Sequence, residues 1–196
     1  MDLKETLKKT WQFLWYDDSV WSWIVNVVLA FVLIKFLVYP GLGLLLGTGY
    51  PIVAVVSSSM EHTSNFDSWW DSQHEFYDQL NITKEQFKDY RFTNGFNKGD
   101  VMVLVGKKAQ DIKLGDVIVF DIGRSDPIIH RTVEIRTVDG KYYFHTKGDH
   151  NSGSLNEEVN TPEDKLYGKA VIRIPFLGWV KIIFVSTIQS IAGAFK

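Results

Sequence analysis

Apolar residues recur along this chain in different rhythms, and each rhythm predicts a different element. In residues 1–18, Leu3, Leu7, Trp11 and Leu14 fall at helical spacing among charges, the pattern of an amphipathic helix on a membrane surface. From Val20 to Leu46 a single charge, Lys35, interrupts the apolar run. That run exceeds the roughly 20 residues that cross a bilayer, so 19–47 reads as a transmembrane helix. Pro40, Gly41 and Gly43 are expected to kink or end it, and Trp21, Trp23 and Tyr39 suit its interfaces. Beyond Asp100 the rhythm shortens to VMVLV, DVIVFDI, IIHRTVEIRTV, KYYFHTK and KAVIRI, strand-like runs divided by turn residues. Asp139-Gly140 between two such runs predicts a type I′ hairpin. Residues 61–96 are acidic and aromatic, predicting one or two short helices inserted between strands. Thr83 with Gln86 forms a capping-box pattern there, and Trp69 and Trp70 either reach a membrane interface or pack the insert. The tail, 175–196, is apolar again and either crosses the membrane or lies on it. The predicted fold is a mostly β domain over 50–174, with helical insert 61–96, an N-terminal transmembrane helix and a C-terminal apolar helix.

Composition removes several classes. With 196 residues the chain holds one modest domain plus appendages, and a net charge of −2 gives no reason to expect nucleic acid. There is no cysteine, which excludes disulfides, thiol catalysis and thiolate metal sites. His145, Asp149 and His150 lack further groups at ligand spacing, so neither a metal nor a cofactor is expected. Lys4, Lys8 and Lys9 precede the apolar run, whereas no Lys or Arg lies between Lys35 and Lys84. This asymmetry predicts a cytoplasmic N-terminus, with the β domain on the far side of the cell membrane. A cleaved leader fits less well, because the apolar run is too long and an acidic flank precedes it.

The candidate chemistry begins at VAVVSSSMEHT, residues 53–63. A serine hydroxyl becomes a nucleophile only beside a base, and the chain offers His62, His74, His130, His145 and His150. His130 stands out within IIHRTVEI, where strand alternation isolates its imidazole among β-branched residues. Taken singly, it could equally be a satisfied core histidine, and the Gly-Asp of KGDHN an ordinary turn.

Together, VAVVSSSM, IIHR and TKGDHN resemble the boxes of the type I signal peptidase family, most closely its archaeal and endoplasmic-reticulum branch. KGDVMVLVG, KLGDVIVF and IPFLGWVK extend the resemblance from the apolar helix to about Val180. The resemblance implies a signal-peptidase-like β fold and a membrane-anchored serine endopeptidase that removes signal peptides from preproteins after small residues. It implies Ser59 as nucleophile, His130 as general base in place of the bacterial branch's lysine, and Asp149 as supporting acid. Ser57 would place its hydroxyl in the oxyanion hole beside the Ser59 N–H. Val55, Val56, Ser58 and Met60 would meet the substrate, which could bind along VAVVS as an added strand. Its partners would be preprotein signal peptides, the lipid bilayer, and secretion-channel or accessory subunits.

Two positions depart from the family pattern. His62 stands where proline is common. Where relatives carry a second aspartate, about six residues after the first, this chain reads SGSLNEEV. Either Asp149 alone is the acid, the preferred reading, or Glu157 or Glu158 takes that part. Ser59 follows Leu46 by 13 residues, which keeps the nucleophile within about 45 Å of the apolar helix even when fully extended. The rival reading is a non-catalytic, membrane-tethered β module that scaffolds a secretion complex.

Overall fold

The computed structural model describes residues 2–124 and 126–194, so the last two residues of the predicted 175–196 segment lie outside the described residues. The chain divides into two compact units, 1–45 and 46–196.

In the first unit, α1 (Leu3–Tyr16) begins at Asp2, whose carboxylate accepts the Lys4 N–H. Helix α2 (Val20–Leu33) is capped by Ser19. Its polar side chains are tied to the end of α1: the Ser22 hydroxyl donates to Phe13 O at 2.6 Å and Asn26 Nδ2 to Leu14 O at 2.9 Å. Such bonds satisfy groups that would be costly in an apolar setting. Pro40 does not end the helix. The chain widens into a π-helical segment at Ile34–Val38 and continues as α3 (Tyr39–Leu46). The longer-period hydrogen bonds fall just before the residue that lacks an N–H, so the helix absorbs the proline instead of breaking at it. Val20–Leu46 forms one helix of 27 residues, long and apolar enough to cross a membrane.

The second unit is built on a seven-stranded antiparallel sheet ordered β1-β2-β7-β3-β4-β5-β6. Its strands are β1 (Ile52–Ala54), β2 (Val101–Val105), β3 (Val117–Phe120), β4 (Ile128–Val138), β5 (Lys141–Lys147), β6 (Thr161–Pro162) and β7 (Leu166–Ile174). All four residues of β3 are buried. Val117 and Val119 join a core with Val55, Met60, Met102 and Ile129, while Ile118 and Phe120 join one with Ile112 and Phe144. A strand covered on both faces reads as a continuous apolar run, which explains VIVF. Asp139 (φ 50°) and Gly140 (φ 76°) close β4 onto β5 with the positive dihedrals of a type I′ turn.

The insert contains α4 (Phe66–Gln79), capped by Asn65, and α5 (Lys84–Lys88), opened by the reciprocal Thr83–Gln86 capping box. Trp69, Trp70, Tyr77, Ile82 and Phe87 form a buried cluster that closes over Val133 of β4. The two tryptophans therefore pack the insert. After β7, Gly178 N–H donates to Gly99 O at 2.8 Å, and α6 (Trp179–Ala194) follows. The 16 described residues of α6 are fewer than the roughly 20 that span a bilayer.

Candidate active site

Strand β4 carries His130 and Arg131 on successive positions, so their side chains leave on opposite faces. This alternation sorts the polar groups of the region into two sets. His130 faces the serine turn, and its Nε2 lies 2.9 Å from Ser59 Oγ. Its Nδ1 meets Glu158 Oε1. A carboxylate only accepts, so Nδ1 carries the proton and Nε2 is left to accept from the serine. Glu158 is wholly buried, and its other oxygen accepts Leu155 N–H at 3.0 Å.

The serine turn is held by its ends. Val55 and Met60 are core residues, and Met60 O accepts the Phe96 N–H at 3.0 Å. Between them Ser57 and Ser58 are exposed and Ser59 is half-buried. Ser57 Oγ lies 3.1 Å from Ser59 Oγ. The Ser59 carbonyl accepts His150 N–H at 2.8 Å, whereas its own N–H has no partner among the described residues. The turn therefore offers an unused backbone donor and a hydroxyl beside the nucleophile candidate. Below it passes Gly148. A Cβ there would sit 2.7 Å from Ser59 O and 2.8 Å from His130 Nε2, so only glycine lets the backbone pass this pair.

Asp149 does not touch His130. It occupies the other set, where Arg131 Nε and Nη2 donate to its two oxygens at 2.9 and 2.7 Å. His62 Nε2 adds a contact at 3.2 Å. The remaining Arg131 donors reach the carbonyls of Arg91, Phe92 and Gly115, and the Phe87 ring lies 4.6 Å from the guanidinium. Burial alone would raise the Asp149 pKa, but the charge and hydrogen bonds of Arg131, then those of His62, outweigh it and bring it to about 2. Nearby Lys147 is lowered to about 8, mainly by burial, against the pull of Asp149.

The expected contact between Asp149 and His130 is corrected by this geometry: it is Glu158 that meets His130 Nδ1, and Glu157 lies at the surface, 3.8 Å from Arg124. The reason is the alternation at 130 and 131, which hands the carboxylate nearer in sequence to the arginine. The substrate-facing set is corrected as well. Val55 and Met60 point inward at 1% and 0% exposure, leaving Val56 and Ser58 accessible. Strand β1 is an edge strand. Its inner hydrogen bonds run through Pro51 and Val55, so alternation leaves the main-chain groups of Ala54 and Val56 facing outward. Sequence reasoning missed His62 and Trp69 as partners of Asp149. The available signal was His62 itself, a histidine two residues after Met60 where proline is common. Among the described residues, no group of three or more His, Asp or Glu side chains could hold a metal ion.

A hydroxyl on an imidazole, backed by a buried carboxylate and flanked by two donors, has the constellation of a serine endopeptidase. No family model matches the chain. It is 29% identical over 189 residues to the signal peptidase complex catalytic subunit SEC11C of Homo sapiens, covering 93% of this chain and 77% of that protein. It is 30% identical over 154 residues to SEC11C of Mus musculus, covering 75% of this chain and 64% of that protein. To the SEC11 subunit of Colletotrichum graminicola it is 28% identical over 155 residues, covering 76% and 72%. Over most of its length the chain is thus similar to catalytic subunits of signal peptidase complexes.

Proposed function

We propose that this chain is a membrane-anchored signal peptidase that releases preproteins by an acyl-enzyme mechanism, with Ser59 as nucleophile, His130 as general base and Glu158 as the supporting acid. The observation that carries the reading is the 2.9 Å contact of Ser59 Oγ with His130 Nε2 while Nδ1 is held by Glu158. Neutral His130 takes the Ser59 proton as the oxygen attacks the scissile carbonyl. The oxyanion is met by the Ser59 N–H and the Ser57 hydroxyl. The imidazolium is stabilised by Glu158, then gives its proton to the leaving amine. Water, deprotonated by the same imidazole, hydrolyses the ester and restores Ser59.

The preprotein binds as an extended strand along Ala54 and Val56. In such a strand alternate side chains face one way, so the substrate residues one and three before the cut face the enzyme together. Val20–Leu46 serves as the anchor, with a cytoplasmic N-terminus and the sheet outside the cell membrane. The relatives are named as subunits of a complex, so accessory subunits are proposed as partners here too. Detergent-solubilised chain given a preprotein is expected to cleave it once. Ser59→Ala and His130→Ala should each lose about 10⁴-fold or more. Processing that survives in both variants returns the chain to the rival reading, a non-catalytic scaffold.

A further inference from the structure

The helical insert does more than cover the sheet: it grips the turn on which the nucleophile rests. We infer that His62 and Trp69 are positioning residues for the Ser59–His130 pair, acting through the Gly148–His150 turn. The inference rests on the peptidase reading above.

The turn touches the serine loop at three successive residues. Gly148 lies against Ser59 O and His130 Nε2. Asp149 N–H points at Met60 Sδ, 3.4 Å away. His150 N–H donates to Ser59 O at 2.8 Å. A displacement of the turn therefore moves the carbonyl of the nucleophile itself. From the other side, the insert holds this turn by polar atoms. Trp69 Nε1 donates to Asp149 O at 3.1 Å, and His62 Nε2 lies 3.2 Å from Asp149 Oδ2. The two rings stack at 3.8 Å, so they form one unit. Lys147 adds a further tie, from Nζ to Gln73 of α4 at 2.9 Å and to Gly148 O at 3.1 Å.

Plain packing does not explain these choices. Phenylalanine at 62 would stack on Trp69 as well as an imidazole does. The imidazole also leaves Nδ1 buried without a partner among the described residues, a cost that an apolar ring would avoid. What histidine and tryptophan add over phenylalanine is one directed N–H each, and both end on Asp149. Catalytic groups tolerate little misplacement, since about 1 Å costs on the order of 100-fold in rate.

The test uses the full-length chain in detergent, with rates expressed per folded molecule so that lost stability cannot mimic the effect. Trp69→Phe and His62→Phe are each expected to lower kcat about tenfold while KM stays within about twofold. His62→Gln, which keeps a donor of similar reach, should recover most of the loss. Phenylalanine variants with wild-type kcat, or a glutamine variant no better than phenylalanine, overturn the inference. If the wild type itself leaves a preprotein uncut, it is the peptidase reading that falls. A cutting wild type with equally active phenylalanine variants removes this inference alone.

Discussion

Glu158 and Asp149 are buried carboxylates nine residues apart, and each leans on one of two neighbouring residues of β4. Their surroundings differ in kind. Asp149 has a bidentate guanidinium and an imidazole, so its charge is compensated and every oxygen is engaged. Glu158 has one backbone N–H and the imidazole of His130. A saturated carboxylate fixes geometry. One whose main partner is an imidazole can answer a charge that develops on that ring, because the attraction strengthens with the charge. Burial and proximity alone do not distinguish the two; the count of cations around each does.

The comparison can be broken by exchanging the acids for their amides. Glu158→Gln should act on the chemistry, lowering kcat by about 10³- to 10⁴-fold, as misorienting a catalytic imidazole does, with thermal unfolding changed far less. Steady-state kinetics beside a melting curve checks both halves. Asp149→Asn should act on the fold. It strands Arg131 as a buried uncompensated cation, which typically costs about 3–5 kcal/mol.

The acid side adds a signature. The folded pKa of Asp149 is depressed from 3.8 to about 2, so its contribution is complete above the unfolded value and fades as pH falls through the folded one. The stability gap between wild type and Asp149→Asn should therefore narrow between about pH 4 and pH 2, as denaturant titrations would show. An unchanged gap would mean that the Asp149–Arg131 pair is not what Asn removes.

The smallest effect belongs to Lys147. Its pKa falls from 10.5 to about 8 on folding, so between those values the unfolded chain binds more protons and stability rises with pH. Lys147→Met should flatten this alkaline rise while leaving the acid limb set by Asp149 intact.

Much of the sheet was legible because its signals are local. The Asp139-Gly140 hairpin and the Thr83–Gln86 cap need only neighbours in sequence, and both form. The apolar run of β3 likewise announced itself. What stayed hidden depends on facing. The site needed the knowledge that His130 and Arg131 diverge, which decides between two carboxylates that spacing along a Gly- and Ser-rich loop leaves equivalent. Val55 and Met60 were expected to meet the substrate, whereas both turn into the core, Val55 just past the edge strand and Met60 at the end of the serine turn. Helix α3 persisted through Pro40 because a widened turn lies next to it, a solution that composition does not reveal.

Gly148 has a consequence for the order of events. With main chain pressed against the underside of the serine–imidazole pair, the exposed Ser57 and Ser58 mark the open flank. Under the proposed acyl-enzyme mechanism, the departing polypeptide and the incoming water would share that flank, so deacylation would wait on product exit as a matter of access.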